Sequence, residues 1–391
     1  MTALSSSVPR RDAGGLADDV PGRVVIAHDN LYWFGGAERI AAEIAAAFPR
    51  ADFWTFLGRA EVARRMGIED RYRPLLPESR LTLRSYRAMA PLYPLLARAR
   101  PLPAADLLVS SSFAFAHHFS TENRAPHLCY CYSPIRAAWS MTREYGRDLR
   151  WGGLGGRAVD SAAGALRRID RRAASRVTEY VAESQHVADQ ILRFYGRTAR
   201  VIYPPVDCEL FGPSSQGGHD GYFLFSGRLV EAYKRPSAVV EAFRSLPHRL
   251  VVAGDGPARA ALERKAGRNV EFVGHVGDSE LRSLMQRCAA VIFPSRDDFG
   301  LVPVETMACG RPVLAFAAGG ALETVVPGTT GEFFASQDAS AIQAAVRSFD
   351  PDAYDPLAIR AHAEHWRVER FAAELRAAAA ELLDRSSAAN G

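Results

Sequence analysis

Two carboxylates eight residues apart are the clearest chemical feature of the sequence. Asp297 opens a polar loop after the apolar run 289–293, and Glu305 follows in a segment typical of a short helix. Pro303 suits the first helical position, and Gly310 is placed to end the helix. Amides at a helix start suit phosphate oxygens, and carboxylates accept bonds from paired hydroxyls, so we expect the chemistry of a nucleotide sugar. The alternative is a solvated Asp297 and a Glu305 matched only to the helix dipole.

The stretch 291–312 resembles the acidic-x7-Glu motif of family 4 retaining glycosyltransferases. The positions that match the family pattern are Phe299, Gly300, Pro303, Val304, Glu305, Ala308, Cys309, Gly310 and Pro312. Asp297 stands where the family usually has Glu, which sets its carboxylate one methylene further back. The resemblance implies that Glu305 binds the ribose hydroxyls of a donor and Asp297 its sugar hydroxyls. It also implies that the amides of residues 299–301, including Leu301, bind the sugar and the phosphate.

Two cations follow the strand predicted at 222–226, in the sequence GRLVEAYKRP. Gly227 permits a tight turn, while Arg228 and Lys234 would neutralise a diphosphate as its charge grows on departure. The alternative is that both cations are solvated. The family has one residue fewer here, so Glu231 or Ala232 resembles an insertion. The resemblance implies that Asp297, Glu305, Arg228 and Lys234 form the catalytic group.

Two further loops resemble loops of the family, and a third lies at a helix start. HDNLYWFGGAER joins a strand to a helix, and its Gly35 and Gly36 match a Gly-Gly-Ala-Glu loop that lies over the sugar-transfer cleft. The segment lacks the G-x-G-x-x-G spacing of a simple Rossmann dehydrogenase. His275 and Val276 resemble the base-contacting loop, and residues 319–323 form another loop at a helix start. We expect Gly35, Gly36, Gly227, His275 and Val276 to bind the donor.

The segment HLCYCYSPIRAAW resembles the Cys-Tyr-Cys-His-Thr-Pro-x-Arg-x-x-Trp stretch of one branch of the family. Tyr132 stands where that branch has a histidine that contacts the transferred sugar. We expect Tyr132 and Arg136 to line the acceptor or sugar cleft, and His117 or His118 to compensate for the missing imidazole. Alternatively, both histidines are structural. Because this branch, with a turn like 203–207, often handles GDP-mannose, mannose is the favoured sugar.

Composition favours a globular enzyme with two domains. The 391 residues are 48% hydrophobic and 24% charged. The sequence has no signal-peptide pattern and no apolar run long enough to span a membrane. We therefore expect a cytoplasmic protein, with the inner face of the membrane as a further location. The five scattered cysteines are expected to be reduced and buried. The Cys-x-Cys at 129 and 131 has no second pair or histidine cluster to complete a metal site, and no aspartate-x-aspartate metal pair appears at a strand end. The sequence contains no nucleic-acid module, so we expect neither a metal nor a nucleic-acid partner.

Charge divides the chain at its middle. Residues 1–205 carry 29 Arg and no Lys against 20 Asp and Glu, while the remainder has an acidic excess. The N-terminal half is therefore expected to face an anionic partner, which is a phosphorylated acceptor or an anionic membrane. Residues 75–100 interleave Arg with apolar residues and suit peripheral membrane contact or a lipid-linked acceptor. The favoured alternative is an ordinary surface helix pair, broken at Pro91 and Pro94, that packs on the sheet.

Alternating strands and helices predict two parallel α/β domains. Strands are expected at 23–28, 51–57, 106–112, 127–132, 180–183, 201–203, 222–226, 249–253, 270–274, 289–293 and 313–317. The resemblance implies the GT-B fold, with two facing Rossmann-like doubly wound domains and an interdomain cleft. We expect a disordered leader at 1–21, an acceptor domain at 22–204, a donor domain at 205–365 and a helix at 366–388 that returns to the first domain. Residues 146–164 are predicted to be a mobile loop.

The function that the resemblance implies is retaining transfer of a hexose from a nucleotide-diphosphate sugar to a glycan, glycolipid or small-molecule hydroxyl. The donor is a substrate, and no cofactor is expected. Two alternatives stay open, namely a sugar-nucleotide epimerase of the same fold and a non-catalytic carbohydrate-binding or partner-binding descendant. Donor hydrolysis or sugar transfer by the purified protein would separate the three.

Overall fold

The computed structural model of the protein describes residues 20, 22–142, 156–215 and 217–390. They fall into two compact units, divided after Tyr203 and again after Arg370. The N-terminal unit comprises the described residues up to Tyr203 and those from Phe371 onward, and the C-terminal unit runs from Pro204 to Arg370. The predicted leader, residues 1–21, lies outside the described residues except for position 20.

The N-terminal unit is built on a sheet of seven parallel strands. In chain order they are β1 Val24–Leu31, β2 Asp52–Gly58, β3 Tyr72–Pro74, β4 Leu107–Ser112, β5 His127–Cys131, β6 Glu179–Ala182 and β7 Ala199–Val201. Their order across the sheet is β3-β2-β1-β4-β5-β6-β7. The order reverses between β1 and β4, so the loops that follow these two strands flank a crevice at the carboxyl edge, where ligands bind in such sheets.

Helices cover both faces of this sheet. They are α1 Gly36–Ala47, α2 Ala60–Arg65, α3 Arg80–Met89, α4 Tyr93–Ala99, α5 Gly156–Ala174, α6 Gln185–Tyr195 and α15 Val368–Asn390, the last of which joins this unit from Phe371 onward. Ser184 caps α6 by accepting the N–H of Val187 at 3.1 Å, as its sequence predicts. The loop predicted at 146–164 is wrong for residues 156–164, which are the first part of α5, and its other residues lie outside the described ones.

The C-terminal unit has a second parallel sheet, of six strands. They are β8 Phe223–Ser226, β9 Leu250–Ala253, β10 Val270–Gly274, β11 Ala290–Phe293, β12 Val313–Phe316 and β13 Gly331–Phe334, in the order β10-β9-β8-β11-β12-β13. Its helices are α7 Glu231–Lys234, α8 Pro236–Phe243, α9 Arg259–Lys265, α10 Asp278–Arg287, α11 Leu301–Ala308, α12 Ala321–Thr324, α13 Ala339–Ser348 and α14 Pro356–Ala363.

Buried strands of apolar and β-branched residues form the core of each unit. Strand β11, for example, is buried along its whole length and pairs on both sides, with Val291 between Leu224 and Val313. Such runs belong to parallel strands covered on both faces. Five cysteines are buried free thiols, which confirms that prediction. Among the described residues, no helix combines the length and the apolar character needed to cross a bilayer.

Candidate functional site

The charged residues predicted to form a site in the C-terminal unit lie at the carboxyl edge of its sheet. Strand order reverses between β8 and β11, which are hydrogen-bonded neighbours. Arg228 and Lys234 follow β8, and Asp297 follows β11. Since ligands of doubly wound sheets bind where the strand order reverses, the cations and the first carboxylate flank the expected position.

Lys234 and Asp297 form an ion pair between the two sides of this reversal. The Nζ atom of Lys234, at the end of α7, contacts Oδ2 of Asp297, and both side chains are about seven-eighths shielded from solvent, being 15% and 13% exposed. The Nζ atom also lies 5.6 Å from the centroids of the Tyr233 and Phe293 rings. The other oxygen, Oδ1 of Asp297, is buried without a hydrogen-bond partner in the described part of the chain. A buried acceptor of this kind suits a hydroxyl donor from a ligand.

The loop that carries Asp297 is fixed by two neighbouring glycine turns. Gly320 donates its N–H to the Asp297 carbonyl at 3.0 Å, and a Cβ atom at Gly319 would collide with that same carbonyl oxygen. Gly300 has φ 88°, and a Cβ there would lie 2.8 Å from the Phe293 ring. Glycine is therefore required for the close approach of these backbones, and the contacts hold Asp297 in place.

Glu305 lies in α11, which starts directly after Gly300. The helix begins at Leu301, so Pro303 is its third residue, whereas the sequence suggested that it would be the first. Pro is tolerated there because the first N–H groups of a helix have no intrahelical acceptor. Glu305 is buried, and Gly310 follows the helix end with φ 73°, as predicted. The backbone donors of the helix start thus lie between Asp297 and Glu305 in the chain.

The loops after β8, β9 and β10 are also joined through their backbones. The N–H of Gly227 bonds the Ala253 carbonyl at 3.0 Å, and the N–H of Gly254 bonds the Gly274 carbonyl at 2.6 Å. Arg228 is exposed on the first of these loops. His275 is exposed and Val276 half-buried directly after β10. The structure therefore places Gly227, His275 and Val276 on the same edge of the sheet as the ion pair.

Glu231, in the segment that resembles an insertion, has a structural role. Its carboxylate accepts the N–H of Ser237 at 3.1 Å and the Ser237 hydroxyl at 2.6 Å, and so satisfies the first turn of α8. Arg235, between α7 and α8, has φ 48°. The extra residue therefore lies in a short helix that delivers Lys234 to Asp297 and is anchored at both ends.

In the N-terminal unit, Gly35 and Gly36 begin α1 after β1. Gly35 donates its N–H to the Glu38 carboxylate at 2.9 Å. Burial raises the pKa of Glu38 to about 7, although this N–H opposes the rise. Tyr132 is also buried and bridges to the same helix, because its hydroxyl lies 3.2 Å from the Ala37 carbonyl and 2.7 Å from the Ser111 hydroxyl. Tyr132 thus fixes the glycine loop through hydrogen bonds.

A buried histidine continues this network. His28 Nδ1 lies 3.1 Å from the Ser111 carbonyl oxygen and 2.9 Å from its hydroxyl. Since a carbonyl can only accept, Nδ1 carries the proton. Its Nε2 atom is buried with no hydrogen-bond partner among the described residues. Burial lowers the pKa of His28 to about 3, so the ring is neutral at pH 7.

His117 and His118 lie inside the N-terminal unit. Their Nε2 atoms approach Asp170 Oδ1 at 2.8 and 3.3 Å, while Asp170 Oδ2 accepts from Trp139 Nε1 at 2.6 Å and from the Tyr195 hydroxyl at 2.8 Å. Burial opposes both charges, yet the pKa of His117 is raised by Asp170 and the pKa of Asp170 is lowered by His117 and its donors. Burial instead lowers the pKa of His118 to about 4.

This buried cluster corrects the expectation that His117 or His118 faces a sugar. Both rings are at least 96% shielded, and their ring nitrogens already serve Asp170. The three groups offer ligand atoms within 4.8 Å of one another, but hydrogen bonds account for both carboxylate oxygens. The structural alternative therefore fits these histidines, and Arg136 stays half-buried on the segment after β5.

Asp29 and Asp170 are two fully buried acids to which the sequence analysis assigned no role. The Asp29 carboxylate on β1 accepts the N–H groups of four consecutive residues, 113–116, after β4. It therefore ties the end of β1 to the loop that follows β4, where the order of this sheet reverses. For Asp170, a lone acid within the Arg-rich run LRRIDRRAA was the available signal.

Both units are doubly wound parallel-sheet domains, and solved structures place this pair of domains in the GT-B fold class. The Anabaena protein HepE, solved in complex with UDP and glucose, gives a TM-score of 0.68 at 20% identity, with coverage of 90% of this chain and 97% of that protein. Sucrose-phosphate synthase from Thermosynechococcus elongatus gives 0.65 at 18% identity, with coverage of 94% and 100%. At these identities the likeness defines the fold.

The family evidence is concentrated in the C-terminal unit. Residues 210–364 match the family model described as Glycosyl transferases group 1, a range that includes every donor-side residue from Gly227 to Glu305. D-inositol 3-phosphate glycosyltransferase 1 of Catenulispora acidiphila is 30% identical over 215 residues, which are 47% of this chain and 51% of that relative. The chain spans about half or less of the length of the curated relatives it matches.

Proposed function

We propose that the protein is a retaining glycosyltransferase that moves a hexose from a nucleotide-diphosphate sugar to an acceptor hydroxyl. The Lys234–Asp297 ion pair at the strand-order reversal carries this proposal, because it sets a cation and a sugar-binding carboxylate beside a helix start. The fold neighbour solved with UDP and glucose supports a nucleotide sugar as the ligand. GDP-mannose is the favoured donor, because residues 127–139 and 203–207 resemble a branch of the family that often handles it.

Each donor-side residue has a distinct role in the proposed reaction. Glu305 holds the ribose hydroxyls, Asp297 the sugar hydroxyls, and the amides of residues 299–301 the sugar and phosphate. Arg228 and Lys234 stabilise the diphosphate, which gains charge as its bond to the anomeric carbon breaks. Gly227, His275 and Val276 border the nucleotide, and Gly35 and Gly36 keep the donor-binding role that their sequence resemblance implies. These two cations supply the charge that a metal supplies elsewhere, and so we propose transfer without a metal.

Retention of configuration follows a front-face route in this proposal. The acceptor oxygen bonds to the anomeric carbon on the side from which the phosphate leaves, and the departing phosphate oxygen takes the acceptor proton. Positioning and leaving-group stabilisation then supply the rate enhancement. The acceptor is a glycan, a glycolipid or a small molecule that Tyr132 and Arg136 help to position, and peripheral contact with an anionic membrane belongs to the same proposal.

The ion pair leaves neither charge buried alone, because Asp297 neutralises Lys234. In the proposed complex, Lys234 also donates to a diphosphate oxygen of the donor, and a sugar hydroxyl donates to Asp297 Oδ1.

Incubation of the purified protein with GDP-mannose or UDP-glucose, with and without candidate acceptors, tests the function. A transferase forms a glycosylated product and releases nucleoside diphosphate in equal amounts. An epimerase converts the sugar and uses no acceptor, whereas a binding protein raises the melting temperature with the nucleotide sugar but leaves it intact. Either of the last two results would contradict the proposal.

A further inference from the structure

A long helical segment in the N-terminal unit is attached to the sheet through one of its sides. Residues 80–99 pass through α3, a 3₁₀ turn at Ala90–Leu92 and α4, a length of about 30 Å at the usual rise per residue. Tyr93 and Ala97 are buried in the core beside β1 and β4, and Met89 and Leu96 pack against the same cluster. The opposite side of the segment is therefore not needed to attach it to the sheet.

That opposite side carries large apolar side chains in solvent. Leu81 is 75% exposed, Leu92 59% and Leu95 65%. Exposed Arg84 and Arg98 lie three residues from Leu81 and Leu95 respectively, which is a spacing that brings side chains to one helical face. We call Leu81, Arg84, Leu92, Leu95 and Arg98 the outer stripe. Scattered exposed leucines are ordinary, but three along one face together with arginines are typical of a helix that lies in a membrane interface.

The charge of the segment has a single sign. Between Ser79 and Ala105 the chain has five arginines and no Asp, Glu or Lys. Trp33, 59% exposed, adjoins the segment, because the ring of its neighbour Tyr32 stacks on Tyr86 of α3 with centroids 4.5 Å apart. Trp is favoured at the level of lipid headgroups. Positive charge, exposed leucines and a neighbouring Trp match the chemistry of an anionic bilayer surface.

We propose that the outer stripe docks on an anionic lipid surface, with its leucines among the acyl chains and its arginines at the headgroup phosphates. The segment lies on the surface and does not cross it. This inference rests on the membrane contact in the proposed function and assigns that contact to named residues. Docking needs no sugar transfer, so the two can fail separately.

Vesicle flotation tests the proposal with the full chain. The wild type is expected to float with vesicles rich in phosphatidylglycerol, to float poorly with pure phosphatidylcholine, and to lose binding as salt rises. Arg84→Gln with Arg98→Gln should weaken binding about 25-fold, since each arginine at an anionic surface is worth about a factor of five. Leu92→Glu with Leu95→Glu should abolish it.

The control is Leu357→Glu, which places one new negative charge at a leucine that is 74% exposed on α14 of the C-terminal unit. It should bind vesicles as the wild type does. Absence of wild-type binding to the vesicles would overturn the proposal, even if the outer stripe binds an acidic protein instead. So would unchanged binding by both double variants, or equal loss in the control. Sugar transfer to a water-soluble acceptor, measured without lipid, should stay unchanged in all variants, which separates a failure of docking from a failure of the proposed reaction.

Discussion

Lysine is nearly absent from this chain, and one of its two copies contacts Asp297. Of the 48 basic residues, only Lys234 and Lys265 are lysines, and the others are arginines. Arginine is a rigid fork that favours a fixed pair of acceptors, whereas lysine is a compact charge on a flexible stem. A cation that pairs with a carboxylate and is proposed to contact a phosphate as well needs that flexibility. This difference gives a physical reason for a lysine beside Asp297 in an arginine-rich protein.

Lys234→Ala is expected to lower sugar transfer about 10²-fold or more, as loss of a charge-stabilising donor does. The loss should appear mainly in kcat, because the diphosphate gains its charge during departure. Steady-state kinetics with the preferred nucleotide sugar measure the effect. Lys265→Ala is the matched control, since Lys265 is exposed at the end of α9, and near-normal transfer by Lys234→Ala would remove the diphosphate role.

Asp170→Asn should destabilise the N-terminal unit by about 3–5 kcal/mol, the usual cost of leaving a buried charge without its partner. Asp170 is the acceptor for His117, His118, Trp139 and Tyr195, and an amide cannot serve four donors. Urea unfolding at neutral pH measures the change. Asp160→Asn, at an exposed position of the same helix, is the control, and equal stability of the two variants would show that the network contributes little.

Some residue roles could be predicted from the sequence and others could not. The sequence of residues 291–312 predicted the strand, the turn and the helix around Asp297 and Glu305, because chain-local spacing and a glycine fix them. The ion pair of Asp297 with Lys234 joins residues 63 apart, and the contact of His117 with Asp170 joins residues 53 apart. Partners brought together only by the fold leave no local pattern, so the histidines were assigned to the wrong environment.

At the scale of elements, the donor-side loops depend on contacts that only glycine allows. Gly319 and Gly217 share φ 62°, yet a Cβ at Gly319 meets the Asp297 carbonyl and a Cβ at Gly217 meets nothing within 4 Å. The two positions therefore separate backbone strain from steric collision.

Gly319→Ala is expected to lower the melting temperature further than Gly217→Ala and to weaken binding of nucleoside diphosphates. Both variants bear the strain of a left-handed alanine, about 1–2 kcal/mol, but only Gly319→Ala must displace the Asp297 loop. Thermal unfolding and titration calorimetry measure the two effects. Equal losses of stability and unchanged affinity would mean that the loop adapts freely.

Most strands were predictable because central parallel strands are short apolar runs. The predicted strand at 270–274 agrees with β10, and the others shift by one to three residues at an end. Two strands at sheet edges, β3 and β13, were not predicted, since Tyr72–Pro74 and Gly331–Phe334 lack the continuous apolar run of a central strand. The start of α5 was missed because Gly156 and Gly164 suggested a loop, whereas tertiary packing overrides such propensities.

At the scale of the whole molecule, buried histidines are distributed unequally. His28, His117, His118 and His127 are buried in the N-terminal unit, while the described histidines of the C-terminal unit all retain solvent contact. Burial lowers the pKa of His28 and His127 to about 3 and that of His118 to about 4. The unfolded chain therefore takes up these protons at higher pH than the folded unit does.

Acid should unfold the N-terminal unit first. The stabilisation linked to these three neutral rings is present above their unfolded pKa of 6.5 and is lost as pH falls toward their folded pKa values. Well below pH 6.5 each ring costs about 1.4 kcal/mol per pH unit. Because the unfolded rings are only half protonated at pH 6.5, the three together cost roughly 3 kcal/mol between pH 6.5 and 5.5. His117, whose pKa is raised, loses its contribution only as pH rises. Glu38, whose pKa burial raises to about 7, takes up its proton first in the folded unit and offsets about 1 kcal/mol of the histidine loss.

Urea unfolding near pH 7 and near pH 5.5, with hydrogen–deuterium exchange to show which strands open, measures this order. Strands β4 and β5 should lose protection at lower urea in acid, while β8 and β11 change little. Earlier opening of the C-terminal strands, or stability independent of pH, would contradict the assignment of neutral buried histidines.

Helix α15 has a consequence for how the protein is made. Its residues from Phe371 onward belong to the N-terminal unit, where the Phe371 ring lies 5.5 Å from Tyr130 and Arg385 pairs with Glu179. A ribosome therefore synthesises the entire C-terminal unit before it supplies this last helix. The N-terminal unit thus emerges first but is completed last, and the apolar surface that α15 covers stays exposed until synthesis ends.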